Sequence, residues 1–361
     1  MKSKNLLTPA WAQKGGRVEY SVRDWEALLG QARQSRLLAR LAYQFKDNHQ
    51  LAQLPPGPRP HLEGALRLAD RQQHEIRWEV DQICRALCPL GIPVVLLKGA
   101  AYLMADLPTA RGRLFADIDI LVPKEQIEKA ESALLGFGWI SDERDAYNQR
   151  YYRQWMHEIP PLRHVRRESF IDLHHTISPP TSRFKVDGRM LLQDKQPLES
   201  MSGLYVLAPV DMVLHSAVHL FQEGEFSHGL RDLLDLRDML LGFSSSNPDF
   251  WTSLLERAET LGLCIPLFHA LHHVHRLFQL QIPTPLQARV ERMGPNRLSR
   301  WLMAWMLGLA LQPDHPSCDT RWTKLARWLL YVRSHALRMP MHLLVPHLVR
   351  KSWMQRFSKN P

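Results

Sequence analysis

Apolar positions recur every three to four residues from about residue 20 to residue 90. "VRDWEALLGQARQSRLLARLAYQF" carries that spacing and predicts helix. "LPPGPRP" (54–60) interrupts it, and "HLEGALRLADRQQHEIRWEVDQICRALCPLG" restores it as a second long helix over about 61–90, stopped by Gly91 and Pro93. The period then shortens. "IPVVLLKG" is a β-branched run bounded by Pro and Gly and predicts a buried strand. "AAYLMADL" predicts a short helix and "TARGR" a basic loop. "FADIDILVP" predicts a second strand, in which alternation puts Asp117 and Asp119 on one face and Ile118 and Ile120 on the other. "KEQIEKAESALLGFG" predicts an amphipathic helix ended by Gly136 and Gly138. "YYRQWMHEIPPLRHVRRESFIDLHHTIS" predicts extended segments around a basic turn, and its last run, "SFIDLHHTI", is a strand carrying Asp172. From about 205 to 311 the helical period returns.

This order predicts an α+β protein in which a strand-bearing middle is flanked by helical regions. The expected division is 1–90 helical, 91–200 sheet core, 201–312 helical and 313–361 a basic amphipathic tail. A chain of 361 residues with 45% hydrophobic residues can bury a sizeable core. The formal charge is +10, and it is unevenly placed. Residues 313–361 hold nine basic residues against two acids, so +7 of the +10 lies there. The remainder is close to neutral, which argues against a general nucleic-acid binder. A basic amphipathic tail rich in Trp and Leu fits contact with an anionic membrane surface, or a helix that packs on the body.

Four cysteines, Cys84, Cys88, Cys264 and Cys318, show no CxxC pair and no disulfide framework. Reduced thiols, the lack of a signal-peptide core in "MKSKNLLTPAWAQKGGRVEY" and the lack of any uncharged apolar stretch near ~18 residues predict a cytoplasmic protein. Peripheral contact at the inner face of the membrane would come through the tail.

Two carboxylates at i, i+2 on one strand face stand roughly 7 Å apart at the backbone. Such a pair can hold divalent cations against a substrate, and Mg²⁺ prefers hard oxygen ligands while keeping positions open for phosphate. Asp172 is the candidate third acid. Two ions so held can activate an attacking oxygen and neutralise a leaving one. Gly99, between a strand and a helix, would let backbone N–H groups approach an anion. Lys98, Arg111 and Arg113 could neutralise a triphosphate.

Together these residues, "LLKGAAYL…R…ADIDILVP…FGW…FIDLHH", resemble the uncharacterised nucleotidyltransferase family of the DNA polymerase β-like superfamily, across about residues 91–178. A weaker echo continues in "LHSAVHLF…HGLRDLLDL" (214–236). The resemblance implies a small mixed β-sheet core, with Gly99 as the motif glycine, Asp117 and Asp119 as metal-binding acids and Asp172 as the third acid. It implies Mg²⁺, with Mn²⁺ as the alternative, and an NTP as donor. The chain has Gly99-Ala100 where many superfamily members have Gly-Ser, so a phosphate-binding hydroxyl is missing at Ala100. The expected reaction is transfer of an NMP to an acceptor, with release of pyrophosphate. The acceptor, a protein, sugar, small molecule or RNA end, is not specified. The rival reading is a non-catalytic or weakly active nucleotide-binding accessory of a membrane-linked, surface-polysaccharide assembly.

Several histidines stand apart from this motif. His175 reads as part of the strand alternation, and His174 is left open between that and a site role. His215 and His219 have zinc-ligand spacing on a helix but no acid between them and no third ligand, which favours core or cleft-lining positions. His269, His272, His273 and His275 read as a helix surface. Arg231, Asp232 and Asp235 fit equally a cleft wall and i, i+4 surface pairs.

Overall fold

The computed structural model describes residues 4–12, 20–199, 201–222 and 224–340. The N-terminal region contributes α1 (Leu7–Ala12), α2 (Val22–Gln34), α3 (Leu38–Asp47) and α4 (Pro58–Leu87). Ser21 and Asp24 cap α2 reciprocally, and Pro58 opens α4, where a missing N–H costs nothing. The middle of the chain gives β1 (Val94–Leu96), α5 (Lys98–Met104), β2 (Ile118–Leu121), α6 (Ile127–Gly136) and β3 (Trp139–Ser141). It continues with α7 (Ala146–Trp155), β4 (Leu162–His164), β5 (Phe170–His174), α8 (Gly188–Gln193), β6 (Gln196–Pro197) and β7 (Leu204–Val206). The C-terminal part contains α9 (Pro209–Gln222), α10 (Gly229–Ser246), α11 (Phe250–Thr260), α12 (Cys264–Phe278), α13 (Thr284–Met293), α14 (Arg297–Ala310) and α15 (Thr323–Arg338).

The strands form one mixed sheet in the order β3-β4-β5-β2-β1-β7-β6. β2 runs antiparallel to β1 and parallel to β5, and β1 runs parallel to β7. β1 is buried throughout, as its unbroken Val-Val-Leu run demands of a strand covered on both faces. In β2 and β5, Ile118, Ile120, Ile171 and Leu173 enter the core. The α9 helix is buried along most of its length, and α10, α11 and α12 pack around it. This is the expected α+β architecture.

Three expectations change. "YYRQW" is not extended. It ends α7, where Asp145 accepts the N–H of Asn148 at 2.9 Å and side-chain pairs at i, i+4 link Arg150 to Gln154 and Gln149 to Arg153. That local capping outweighs the strand preference of the tyrosines. The strands β6 and β7 were not foreseen, because two or three residues are too few to show a period. The histidine-rich helix α12 is only half a surface. His272 and His275 are exposed, while His269 and His273, one turn apart, are buried beside Phe221 with ring centroids 5.8 and 6.1 Å away.

The described part of the basic tail contains an integral helix, α15. α15 packs on α14, Arg333 donates to the Phe221 carbonyl at 2.8 Å, and Arg327 pairs with Asp314 at 2.6 Å. The remainder of that tail, 341–361, lies outside the described residues. Among the described residues no helix is long and apolar enough to cross a membrane, and the four cysteines are free thiols.

Candidate active site

Strand pairing brings the acids together. Asp119 of β2 and Asp172 of β5 are direct partners across a parallel ladder, so their side chains leave the same face. Asp117 lies just ahead of β2, exposed, on the same side. All three line a cleft of about 320 Å³. Lys98 and Gly99 of α5 form part of its lining, and Ser216 and His219 of α9 and Arg231, Asp232 and Asp235 of α10 face them across it.

Asp119 is the most constrained of the acids. It accepts from Lys98 Nζ at 2.9 Å and from His174 Nε2 at 3.0 Å. Burial alone would raise its carboxyl, but Lys98 and His174 hold it well below the usual carboxylate range. Asp172 behaves in the opposite way. Burial, then the charges of Asp119 and Glu158, push its carboxyl up to about 7. Asp117, although its side chain reaches solvent at the cleft mouth, is also raised, by the desolvating protein around its carboxyl and then by Asp119. His174 is buried, which disfavours its charge, yet the bond to Asp119 and the nearby Glu158 raise it above the ordinary imidazole value. Carboxylates that raise one another in this way leave the face short of positive charge despite Lys98 and His174, and hard oxygen donors suit a divalent cation. The ligand atoms of Asp119, Asp172 and His174 lie within 4.8 Å of one another. The donor set therefore fits a divalent metal.

Lys98 takes φ +45°, the left-handed region that costs a non-glycine residue about 1–3 kcal/mol. This turn aims Nζ at Asp119 while the chain swings from β1 into α5. Gly99 allows the approach of the loop that follows, since a Cβ there would stand 3.0 Å from Arg113 Nε and from Phe115 Cδ1. Gly112 does the same against α3, with φ +71° and the Arg40 amide nitrogen 2.7 Å from where a Cβ would be. Ala100 is buried behind Gly99.

Arg113 reaches the cleft but is not free there. It pairs with Asp235, and with Asp232 at 3.8 Å, while Asp235 also binds Arg40. Burial brings the Arg113 guanidinium down to about 10. Arg111 is not among the cleft-lining residues. It holds Asp47 with bonds of 2.8 and 2.9 Å and lies 4.8 Å over the ring of Tyr43. The loop "TARGR" thus sends its two arginines to different places.

His219 lines the cleft and His215 is buried beneath it, with ring centroids 6.5 Å apart. Burial, then Lys98, keep His215 well below the usual imidazole range, so it is neutral. His175 accepts no site role in this geometry; its Nε2 meets the Met156 carbonyl at 3.2 Å. Sequence reading missed His157, Glu158, Arg36 and Arg338, which also line the cleft. No motif flags them, because loops and helix ends distant in sequence bring them there. A second groove of about 720 Å³ opens beyond Asp117, lined by Trp78, Phe115 and Phe170 among others.

No curated protein and no solved structure matches the chain. A family match does, and it spans residues 21–279, taking in both walls of the cleft. The chain belongs to the family described as uncharacterised nucleotidyltransferase.

Proposed function

We propose that the protein is a Mg²⁺-dependent nucleotidyltransferase that moves an NMP from an NTP to a nucleophile on an acceptor, releasing pyrophosphate. The observation that carries this reading is the placement of Asp117, Asp119 and Asp172 on one face at the floor of a cleft whose far wall carries arginine. Asp117, Asp119 and Asp172 would hold the metal, with Mn²⁺ able to replace Mg²⁺. When bound, the metal supplies charge neutralisation at the reacting phosphate and at the attacking oxygen.

The chain's own residues do the rest. Lys98, Arg231 and the backbone at Gly99 and Ala100 hold the phosphates. Arg113 contributes its field from within its ion pairs. Arg111, outside the cleft, has no part. Asp172, at the acceptor side of the acids, helps take the proton of the acceptor. The groove beside Asp117 admits that acceptor. Catalysis is then mainly positioning and charge stabilisation. In this reading residues 91–200, completed by β7, form the catalytic core, and 1–90 and 201–312 close over it. The test is incubation with Mg²⁺, each labelled NTP and cell extract, comparing wild type with Asp117→Ala/Asp119→Ala. Equal label transfer by both proteins would sink the assignment.

A second reading concerns location. On α14 and α15 the apolar side chains Leu298, Trp301, Trp328 and Val332 are exposed, Trp301 by 66% and Trp328 by 59%. Basic residues such as Arg297, Arg321 and Lys324 accompany them in the sequence. This combination supports contact with an anionic membrane surface, as an accessory to a membrane-linked assembly. Flotation with anionic vesicles tests it. Trp301→Ser/Trp328→Ser should remain at the bottom of the gradient, and undiminished flotation would remove the idea. Deleting 313–361 is the poorer test, because Arg338 lines the cleft.

A further inference from the structure

Beside the carboxylate face lies a second group of donors that the nucleotidyl-transfer reading does not use. Residues 157–159 run along the end of β5. The His157 carbonyl accepts from the His175 amide at 2.9 Å, the Ile159 amide donates to the Leu173 carbonyl at 3.1 Å, and Glu158 bridges His174. The backbone thus fixes His157 and Glu158 next to His174.

The His174 ring is 1% exposed, and its two nitrogens face different partners. Nε2 donates its proton to Asp119 Oδ1 at 3.0 Å. That bond turns Nδ1 away from Asp119 and toward Glu158. Nδ1 has no hydrogen-bond partner, although Glu158 Oε2 stands 3.4 Å away. His157 adds a third donor, with Nε2 3.7 Å from the same Glu158 oxygen and its ring centroid 5.2 Å from that of His174. One ligand atom from each of His157, Glu158 and His174 falls within 4.8 Å of the others.

We infer that His157, Glu158 and His174 form a binding site for a divalent first-row transition-metal ion beside the carboxylate site, the two meeting at the His174 ring. Two imidazoles and one carboxylate with open positions suit Zn²⁺, Mn²⁺ or Fe²⁺ far better than Mg²⁺, which prefers oxygen. Two ligands each ~2.1 Å from a tetrahedral ion stand about 3.4 Å apart, and the Glu158 oxygen is 3.4 Å from His174 Nδ1 and 3.7 Å from His157 Nε2. The Asp119–His174 bond then has the form of a carboxylate–histidine–metal relay, in which the carboxylate orients the ring. An ion at Nδ1 would fix His174, and through it the position of Asp119. The ion would thereby act as an organising centre for the neighbouring acids.

The probe is Co²⁺, whose visible absorption reports nitrogen-containing coordination. Full-length protein stripped with a chelator is titrated with Co²⁺ in a large excess of Mg²⁺. Wild type should take up a single tightly held equivalent with visible bands. His157→Ala and Glu158→Gln should each weaken that uptake at least ~10-fold while circular dichroism stays unchanged. Asp117→Asn should keep it. Absence of the bands, their displacement by Mg²⁺, or their loss in Asp117→Asn with retention in His157→Ala would overturn the inference. Nucleotide binding measured on the same samples separates this outcome from the nucleotidyltransferase reading. A wild type that binds NTP with Mg²⁺ but takes no Co²⁺ refutes only the transition-metal site.

Discussion

The two walls of the cleft handle charge in opposite ways. On the helical wall, Asp232 and Asp235 meet Arg113 and Arg231, Asp238 meets Arg40 and Arg237, and Asp235 is shared between Arg40 and Arg113. Each acid there has an arginine, and Asp232 is lowered despite its burial, through Arg231 and Arg113. On the sheet wall, Asp117, Asp119, Asp172 and Glu158 gather around Lys98 and His174, and two of the acids are raised. A wall whose charges are mutually satisfied holds the structure together. A wall short of positive charge suits the proposed metal.

The largest test of this contrast is chemical. Asp117→Asn should reduce nucleotidyl transfer by about 10³-fold or more, comparable with losing a key electrostatic group. Its melting temperature should equal or exceed that of wild type, because crowding at that carboxyl is relieved. A variant that loses transfer and stability together would make Asp117 structural.

Asp235→Ala should show the reverse. It leaves the buried guanidinium groups of Arg40 and Arg113 without their common partner, at a cost of about 3–5 kcal/mol. Urea denaturation measures this. A loss below ~1 kcal/mol would mean that the helical wall is not the closed network described.

The walls should also separate by pH in the absence of metal. The folded-state carboxyl of Asp172 is raised from 3.8 to about 7. Its contribution to stability is therefore fully present below the unfolded value and is lost as pH rises through about 7. The slope is at most about 1.4 kcal/mol per pH unit between those limits. With a chelator present, Asp172→Asn should melt above wild type at pH 8, and the gap should close toward pH 4. A gap independent of pH would remove the charge argument.

The smallest effect belongs to Arg111. Its side chain is 52% exposed and its partner Asp47 45% exposed, so Arg111→Ala should cost under ~1 kcal/mol and leave transfer nearly unchanged. Arg231→Ala, by contrast, should raise KM for the NTP. Similar kinetics for the two variants would place the phosphates elsewhere.

Much of the candidate site could be read from the chain because its parts are local. The Asp117/Asp119 spacing, the Lys98-Gly99 turn after an apolar run and the acid in "FIDLHH" each lie within a few residues of the element that presents them. Arg111 and Arg113 show the limit of such reading. They are equivalent in sequence, but Gly112 turns the backbone against α3 so that one enters the cleft and the other joins Asp47. Arg231, Asp232 and Asp235 could not be assigned from spacing, because i, i+4 contacts and a cleft wall use the same pattern. His269 and His273 looked like surface residues until the packing of α12 against Phe221 buried them.

The sequence by itself determined the α+β class, the main helical stretches and the strands that carry the acids, since these depend on periodicity and local sterics. Only the tertiary structure decided which residues stand opposite those acids. The register of β2 against β5 placed Asp172 beside Asp119. The edge segment at 157–159 brought His157 and Glu158 to His174, and the packing of α9 and α10 supplied the opposing wall. Those are contacts between residues tens to more than a hundred positions apart. No local period encodes them, because they arise when separate elements bury their apolar faces together.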